Sequence, residues 1–134
     1  MLKVVFDTNI FISAFIFPGG KTQEAHLLSI RRKLILCTSP AIMTELAKTL
    51  RAKFGQDEDD IARALKQIAR IAEIVKPTSR LKILDDDPDN RVLECAEAAK
   101  ADLIASNDKH LLRLKKLGDI PIVRATDLLH TIPE

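Results

Sequence analysis

Short apolar segments alternate along this chain with longer amphipathic ones. The apolar segments are two to four residues long and predict buried strands, whereas apolar residues spaced three or four apart predict helices. The predicted strands are residues 3–6, 34–37, 74–75, 103–105 and 120–123. The predicted helices are residues 9–16, 22–33, 40–54, 58–71, 89–100, 109–116 and 125–130. Strands that are apolar throughout are typical of a parallel sheet covered on both faces. We therefore expect one α/β domain over residues 1–134, with a central parallel sheet of four to five strands flanked by helices in three layers.

Local signals place several helix ends. Ser39 is a good N-cap and Pro40 a good first helical residue, so a helix is predicted to begin there. Asp57 is predicted to cap the next helix in the same way. The run of residues 18–20, Pro-Gly-Gly, predicts a turn that ends the first helix.

Two carboxylates come after predicted strands. Asp7 directly follows residues 3–6, and Asp108 comes three residues after the strand 103–105. In an open α/β sheet, ligands bind outside the carboxyl ends of the strands, so both positions suit a functional site. The alternative for Asp7 is a helix cap. Ser106 could cap the helix after the strand 103–105, which would leave Asp108 free to face the same edge as Asp7.

Helix periodicity places two further acids. Asp89 is predicted to begin the apolar face of its helix, because Val92, Leu93 and Ala96 follow it at three, four and seven residues. Glu45 lies about one turn into its helix, beside the apolar stripe. Alone it would be interpreted as a surface residue, and its assignment to the site depends on the other three acids. Asp86 and Asp87 are possible additional acids, or else residues of a solvated loop.

Such a group of acids indicates a metal site. Crowded carboxylates repel one another and have raised pKa values unless a cation lies among them. A set of oxygen ligands selects Mg²⁺ or Mn²⁺ over zinc, and one or two ions are expected. The three histidines, His26, His110 and His130, lack a zinc-like spacing and are predicted to be surface or packing residues, with a helix turning His110 away from the site.

Composition excludes several classes of protein. An apolar fraction of 46% and a charged fraction of 30% over 134 residues argue against disorder. The net charge of +2 does not by itself indicate nucleic-acid binding. Basic clusters at residues 31–33, 48–53 and 109–116 are expected to frame the acidic site, where they would attract a polyanion, or else to be solvated helix faces. Cys37 and Cys95 are expected to be buried, reduced thiols of a cytoplasmic protein, and no apolar stretch reaches the ~18 residues of a membrane span.

Four motifs together resemble one family. They are Val5-Phe6-Asp7-Thr8-Asn9-Ile10, the segment from Ser39 through Glu45 to Leu46, the segment from Asp89 to Ala96, and the segment from Ala105 through Asp108 to Leu112. In order and spacing they resemble PIN-domain ribonucleases, in particular the VapC-like toxins of bacterial and archaeal toxin–antitoxin systems.

That resemblance implies a function and a set of partners. It implies Mg²⁺ or Mn²⁺ held by Asp7, Glu45, Asp89 and Asp108, which would be the catalytic acids. Asn9 and Ser106 match the polar companions of those acids. The expected activity is hydrolysis of single-stranded or structured RNA by an endoribonuclease, with an antitoxin protein as partner. The apolar residues of the helix 58–71, with Phe11, Phe15 and Phe17, are expected to leave an apolar face uncovered. That face and the resemblance both favour a homodimer.

Three other interpretations stay open at the level of sequence. A catalytically silent PIN fold that binds RNA or protein would differ by lacking metal-dependent cleavage. A phosphatase of the haloacid-dehalogenase type would need a second Asp two residues after Asp7, where this chain has Asn9. A phospho-receiver domain would need an acidic pair after the first strand and a Lys after the last, where the chain has Asp7-Thr8 and Arg124.

Overall fold

In the computed structural model, which describes residues 1–132, six strands form one sheet. The strands are β1 (Lys3–Phe6), β2 (Ile35–Thr38), β3 (Glu73–Ile74), β4 (Leu103–Ala105), β5 (Lys116–Leu117) and β6 (Ile120–Val123). The helices are α1 (Thr8–Ile16), α2 (Lys21–Ile30), α3 (Pro40–Phe54), α4 (Glu58–Ile71), α5 (Asp87–Ala99), α6 (Lys109–Leu114) and α7 (Ala125–Thr131). The domain predicted over residues 1–134 also includes residues 133 and 134, which lie outside the described part.

The sheet has the order β3-β2-β1-β4-β6-β5. The strands β3, β2, β1, β4 and β6 are parallel, and only β5, at the edge, is antiparallel to its neighbour in the described part of the chain. The predicted α/β fold with a central parallel sheet is confirmed. Both faces of the sheet are covered, because Val4, Val5 and Phe6 point alternately to opposite faces and are all fully buried.

The main difference from the predicted elements lies after α6. The sequence predicts a helix over residues 109–116, but α6 ends at Leu114 because Lys115 adopts a positive φ of 68°. Lys116–Leu117 then pairs antiparallel with β6 as the short strand β5. Gly118, with a φ of 57°, allows the tight turn between them.

The predicted helix starts are confirmed at two positions. The Ser39 hydroxyl accepts a hydrogen bond from the Ile42 N–H at 3.3 Å, with Pro40 as the first residue of α3. The Asp57 carboxylate accepts one from the Asp60 N–H at 2.8 Å at the start of α4. Each bond satisfies a backbone donor that a helix start leaves without a partner.

The apolar stripe of α4 packs inside the domain. Ile61 and Ile68 are buried, and Leu65 and Ile71 pack half-buried against the core. The expectation that this stripe is left over for a second copy of the chain is therefore wrong, because the domain's own core uses it. Of the three phenylalanines in that expectation, Phe11 is buried and Phe17 is exposed. The Phe17 ring meets that of Phe54, which is also exposed, edge to face at 6.4 Å between centroids.

Two further expectations concern thiols and membranes. Cys37 and Cys95 are free and buried, as predicted. Burial raises the pKa of Cys37 to about 11 and that of Cys95 to about 12, so both thiols stay protonated at neutral pH. Within residues 1–132, no helix has the length and apolar character needed to span a membrane.

Candidate functional site

Asp7 and Ser106 lie side by side at the carboxyl edge of the sheet. Phe6 and Ala105, the last residues of β1 and β4, are register partners, so the next residues leave the sheet at the same level. The Ser106 hydroxyl donates a hydrogen bond to Asp7 Oδ2 at 2.9 Å, and the Asp7 N–H donates to the Ala105 carbonyl at 3.0 Å. After β1 the chain adds β2 along one edge of β1, and it later returns to add β4 along the opposite edge of β1. Such a switch in strand order is where open α/β sheets bind ligands.

Asp108, and not Ser106, is the N-cap of α6. Asp108 Oδ1 accepts a hydrogen bond from the His110 N–H at 2.7 Å, while the Asp108 N–H donates to the Ser106 hydroxyl oxygen at 2.9 Å. Ser106 is fully buried and already bonded to Asp7, so its hydroxyl is not the cap of α6. The expected assignment of the cap is wrong, but Asp108 still lies close enough for its charge to act on Asp7 and Asp89.

Asp89 reaches the same edge from the other direction. The short turn between α5 and β4 reverses the chain, so the first turn of α5 lies at the carboxyl end of β4. Asp89 is 4% exposed, and its Oδ2 is buried without a hydrogen-bond partner. Val92, Leu93 and Ala96 behind it are buried, which confirms that Asp89 begins the apolar face of the helix.

We call Asp7, Asp89 and Asp108 the carboxylate cluster. The charge of Asp108 disfavours the charged forms of Asp7 and Asp89, and the charge of Asp7 also acts on Asp89. Burial raises the pKa of Asp7 to about 6; the Ser106 hydrogen bond opposes this and the charge of Asp108 adds to it. Burial also raises the pKa of Asp89 to about 7, with further contributions from Asp108, Asp7 and Asp86. Within the described residues, no basic side chain forms an ion pair with any member of the cluster. Negative charge is thus concentrated at this edge without an ion pair among the described residues to neutralise it.

Asn90 and Glu94 attach the segment before α5 to that helix, and neither residue was predicted from the sequence to have this role. The Asn90 side chain accepts hydrogen bonds from the Ile83 and Leu84 N–H groups, at 3.1 and 2.9 Å, and donates to the Leu84 carbonyl at 2.7 Å. Glu94 accepts the Leu81 N–H at 2.7 Å. Asn90 and Glu94 are four residues apart on a largely buried helix, and that spacing of polar residues beside an apolar stripe was the available signal.

Glu94 is itself held by a buried ion pair. Arg91 Nε lies 2.8 Å from Glu94 Oε1, and the guanidinium also donates to Glu94 Oε2 at 2.8 Å and to the Leu81 carbonyl at 3.1 Å. The Nε–H is not aligned with Oε1, so that contact is mainly one of charge. The pair fixes the path of residues 81–84 next to the carboxylate cluster.

A cavity of about 340 Å³ adjoins the cluster at Asp89. Its lining residues come from the segment before α5, from Asp89 and from α6: Ile83, Leu84, Asp85, Asp86, Asp89, His110, Arg113 and Leu114. The prediction that a helix turns His110 away from the site is therefore wrong. The short α6 begins at the sheet edge, and its side chains at positions 110 and 113 share one face that lines the cavity.

The remaining predicted site residues lie further out. Glu45 is half-buried on α3, accepts a long hydrogen bond from Thr49 Oγ1 at 3.4 Å, and is not among the charges that shift Asp7 or Asp89. Asn9 is exposed, and its backbone N–H, with that of Thr8, helps to stabilise the Asp7 carboxylate. Asp86 and Asp87 are also exposed, at the start of α5. Of these two, only Asp86 lines the cavity and acts on Asp89.

Only one of the three basic clusters is beside the site. Residues 31–33 precede β2 and therefore lie at the amino edge of the parallel sheet, opposite the carboxylates. On α3, Arg51 is paired with Glu58 at 2.8 Å, about two turns of helix beyond Glu45. Arg113 of the third cluster lines the cavity that contains Asp89.

The donors at this edge fit a hard divalent cation in their chemistry. They are carboxylate oxygens, one of them a buried atom without a partner, and the mutual repulsion of their charges is what a cation would relieve. As placed, no three His, Cys, Asp or Glu side chains of residues 1–132 stand close enough together to hold one ion. The carboxylates would have to move towards one another to coordinate the same ion.

Comparison with solved structures shows similarity across nearly the whole chain. VapBC2 from Rickettsia felis, solved bound to a DNA fragment from its promoter, aligns with a TM-score of 0.64 at 14% identity and covers 92% of this chain and 98% of that one. VapBC-1 from nontypeable Haemophilus influenzae gives 0.62 at 16% identity, covering 93% and 99%. The PIN domain endonuclease Utp24 gives 0.58 at 27% identity, covering 91% and 84%.

The sequence comparisons identify the family. The chain is 34% identical over 119 residues to an uncharacterised protein of Methanocaldococcus jannaschii, covering 85% of this chain and 76% of that protein. Residues 3–110 match the PIN domain family, and this match includes β1, α5 and the residues of the carboxylate cluster. The chain therefore belongs to the PIN domain family.

Proposed function

We propose that this protein is a Mg²⁺- or Mn²⁺-dependent endoribonuclease whose metal ligands include Asp7, Asp89 and Asp108. One observation carries the proposal: the buried Oδ2 of Asp89 has no hydrogen-bond partner and lies near the charges of Asp7, Asp86 and Asp108 at the carboxyl edge of the sheet. A carboxylate buried without a counter-charge is costly unless a cation is bound nearby. Carboxyl groups whose pKa values are raised by burial and by neighbouring charges are frequently found at catalytic sites.

Each residue then has a distinct task. Asp7 and Asp89 hold one or two divalent ions, and Asp108 contributes directly or through water. Ser106 orients Asp7 through its hydrogen bond and supports the backbone of Asp108. Glu45 acts from the periphery, completing the metal shell or orienting the attacking water. When bound, the ions activate water and stabilise the leaving oxygen of a phosphodiester.

Single-stranded or structured RNA is the substrate we propose. The resemblance to VapC-like ribonucleases and the likeness to Utp24, named as an endonuclease, support a nuclease. The two VapBC structures support the fold, and their name matches the toxin group that the sequence resembles. The proposed biological role is accordingly the toxin of a toxin–antitoxin pair, acting in the cytoplasm with an antitoxin as partner.

A homodimer is part of this proposal. Phe17 and Phe54 are exposed apolar residues that a second copy could cover. Light scattering should give twice the chain mass of 14.9 kDa at micromolar concentration. A mass of one chain across that range would contradict the dimer and leave the nuclease untouched.

The direct test of the nuclease is cleavage of a labelled single-stranded RNA pool with Mn²⁺, with Mg²⁺ or with EDTA. Wild type should cut only with metal, and Asp7→Asn, which keeps the shape of the side chain, should not cut. Absence of cutting by folded wild type with either metal would favour the catalytically silent PIN fold. Equal cutting by both proteins would show that the activity comes from elsewhere.

A further inference from the structure

The cavity beside Asp89 has an acidic part and a basic part. Asp86 and Asp89 contribute carboxylates, whereas His110 and Arg113 line it from one face of α6. Its volume of about 340 Å³ is at the lower end of the range of roughly 300–1,000 Å³ for ligand clefts. It is therefore large enough for a small group and directly continuous with the carboxylate cluster through Asp89.

The basic groups of this cavity have no partners within the described part of the chain. Among residues 1–132, Arg113 forms no ion pair, and the His110 ring makes no hydrogen bond. Arg51 and Arg63, by contrast, are each paired with a nearby acid. An unpaired guanidinium close to carboxylates, yet not bonded to them, is available to an anionic ligand.

A guanidinium here favours the binding of a phosphodiester. The carboxylate charges of Asp7 and Asp89 that bound cations leave unneutralised repel a phosphate, and a guanidinium in the adjoining cavity offsets that repulsion. Arginine also binds phosphate through two parallel N–H···O bonds, which fixes orientation as well as position.

We propose that Arg113, with His110 beside it on α6, binds a backbone phosphate of the nucleic-acid substrate next to the scissile bond. This inference rests on the proposed nuclease function for the identity of the ligand. It makes Arg113 a substrate-binding residue, whose contact adds affinity for a strand that lies over the carboxylate cluster.

Arg113 also lies in the last turn of α6, where a basic side chain stabilises the helix end. That structural role alone would change stability but not the salt dependence of binding. The test is therefore built on binding and its salt dependence, which a purely structural role does not alter.

The experiment measures fluorescence anisotropy of a labelled single-stranded RNA at several salt concentrations, with Asp7→Asn as the background that prevents cutting. Adding Arg113→Gln should weaken binding roughly tenfold. It should also reduce the slope of log affinity against log salt by about 0.7, the value for one phosphate contact on a single strand. Arg113→Lys, which keeps the charge, should recover most of that slope. Arg70→Gln removes an equal charge from exposed α4, outside the cavity, and should leave affinity and slope unchanged.

Cleavage kinetics give a second readout. In a background with Asp7 intact, Arg113→Gln should raise KM roughly tenfold with kcat nearly unchanged, because uniform binding energy is lost. An unchanged salt slope and KM would overturn the proposal while metal-dependent cutting by wild type still stood. If wild type does not cut, the proposed function fails, but the anisotropy comparison still decides whether Arg113 binds phosphate.

Discussion

The Ser106 hydroxyl donates a hydrogen bond to Asp7 Oδ2 at 2.9 Å, although the two residues are 99 positions apart in the chain. The bond joins the ends of the two central parallel strands, β1 and β4. Ser106 is fully buried and also accepts the Asp108 N–H. One hydroxyl thus holds two members of the carboxylate cluster in their relative positions.

Replacing Ser106 with alanine should destabilise the fold and misplace the cluster. Ser106→Ala removes a buried donor and acceptor, so the free energy of unfolding should fall by about 1–3 kcal/mol. The pKa of Asp7 should rise further, because the lost hydrogen bond stabilises its charged form. Urea unfolding at neutral pH measures the first effect. Ser79→Ala, at an exposed position, is the matched control and should change stability by less than about 0.5 kcal/mol. Equal stability of the two variants would contradict the role given to Ser106.

Asp89 should make stability depend on pH when no metal is bound. Its pKa is raised from 3.8 in the unfolded chain to about 7 in the fold, and that of Asp7 to about 6. A raised carboxyl pKa means that the folded state binds the proton more tightly. The stability from this source is therefore complete below about pH 4 and is lost as the pH rises through 6 and 7.

Asp89→Asn removes that dependence at one site. In EDTA, the variant should gain about 3 kcal/mol over wild type between about pH 5 and pH 8, because pH 5 lies about two units below the Asp89 pKa of about 7 and each unit corresponds to about 1.4 kcal/mol. Chemical unfolding at both pH values measures this gain. Asp119→Asn, in the exposed turn between β5 and β6, should follow wild type. Parallel profiles of stability against pH for wild type and Asp89→Asn would show that the fold does not raise the pKa of Asp89.

The buried ion pair of α5 should be far more important for stability than an exposed one. Glu94→Ala leaves Arg91 buried without a counter-charge and the Leu81 N–H without its acceptor, and should cost about 3 kcal/mol. Glu58→Ala breaks the exposed pair with Arg51 and should cost less than about 1 kcal/mol. Thermal or urea unfolding compares the two directly. Similar costs would mean that the Arg91–Glu94 contact does not anchor the segment before α5.

Glu45 should contribute less to cleavage than Asp7. It is half-buried, bonded only weakly to Thr49, and electrostatically separate from the cluster. Glu45→Gln should therefore lower the cleavage rate by about tenfold to a hundredfold, as for residues that orient a metal site from outside. Its stability should stay close to that of wild type. Loss of activity as complete as that of Asp7→Asn would place Glu45 among the inner ligands.

Much of this arrangement could be predicted from the chain alone. Strands β4 and β6 fall on the predicted residues, because a short apolar run bounded by polar residues fits a buried strand better than any alternative element. The burial of Asp89 followed from its helical spacing to Val92 and Leu93. Asp7 was placed at the sheet edge by the simple rule that it follows a fully apolar strand.

Other features depend on contacts that no local pattern encodes. Ser and Asp are both good helix caps, so the sequence could not decide between Ser106 and Asp108; the hydrogen bond to Asp7 decides it. The end of α6 is set by the backbone at Lys115, which no side-chain periodicity reveals. Residues 31–33 are a different case: in the predicted parallel sheet, residues directly before a strand lie at its amino edge, so the sequence already placed them away from the acids, and the expectation that they frame the site overlooked this.

Binding of Mn²⁺ to the full chain, followed by calorimetry in wild type, Asp7→Asn and Asp89→Asn, is the sharpest test of a metal held by the carboxylate cluster, because it needs no substrate. We predict that wild type binds Mn²⁺ and that each substitution weakens binding at least about tenfold, while Asp119→Asn binds as wild type does. Equal Mn²⁺ affinity in wild type and Asp89→Asn, or no binding by wild type at millimolar metal, would contradict the metal site.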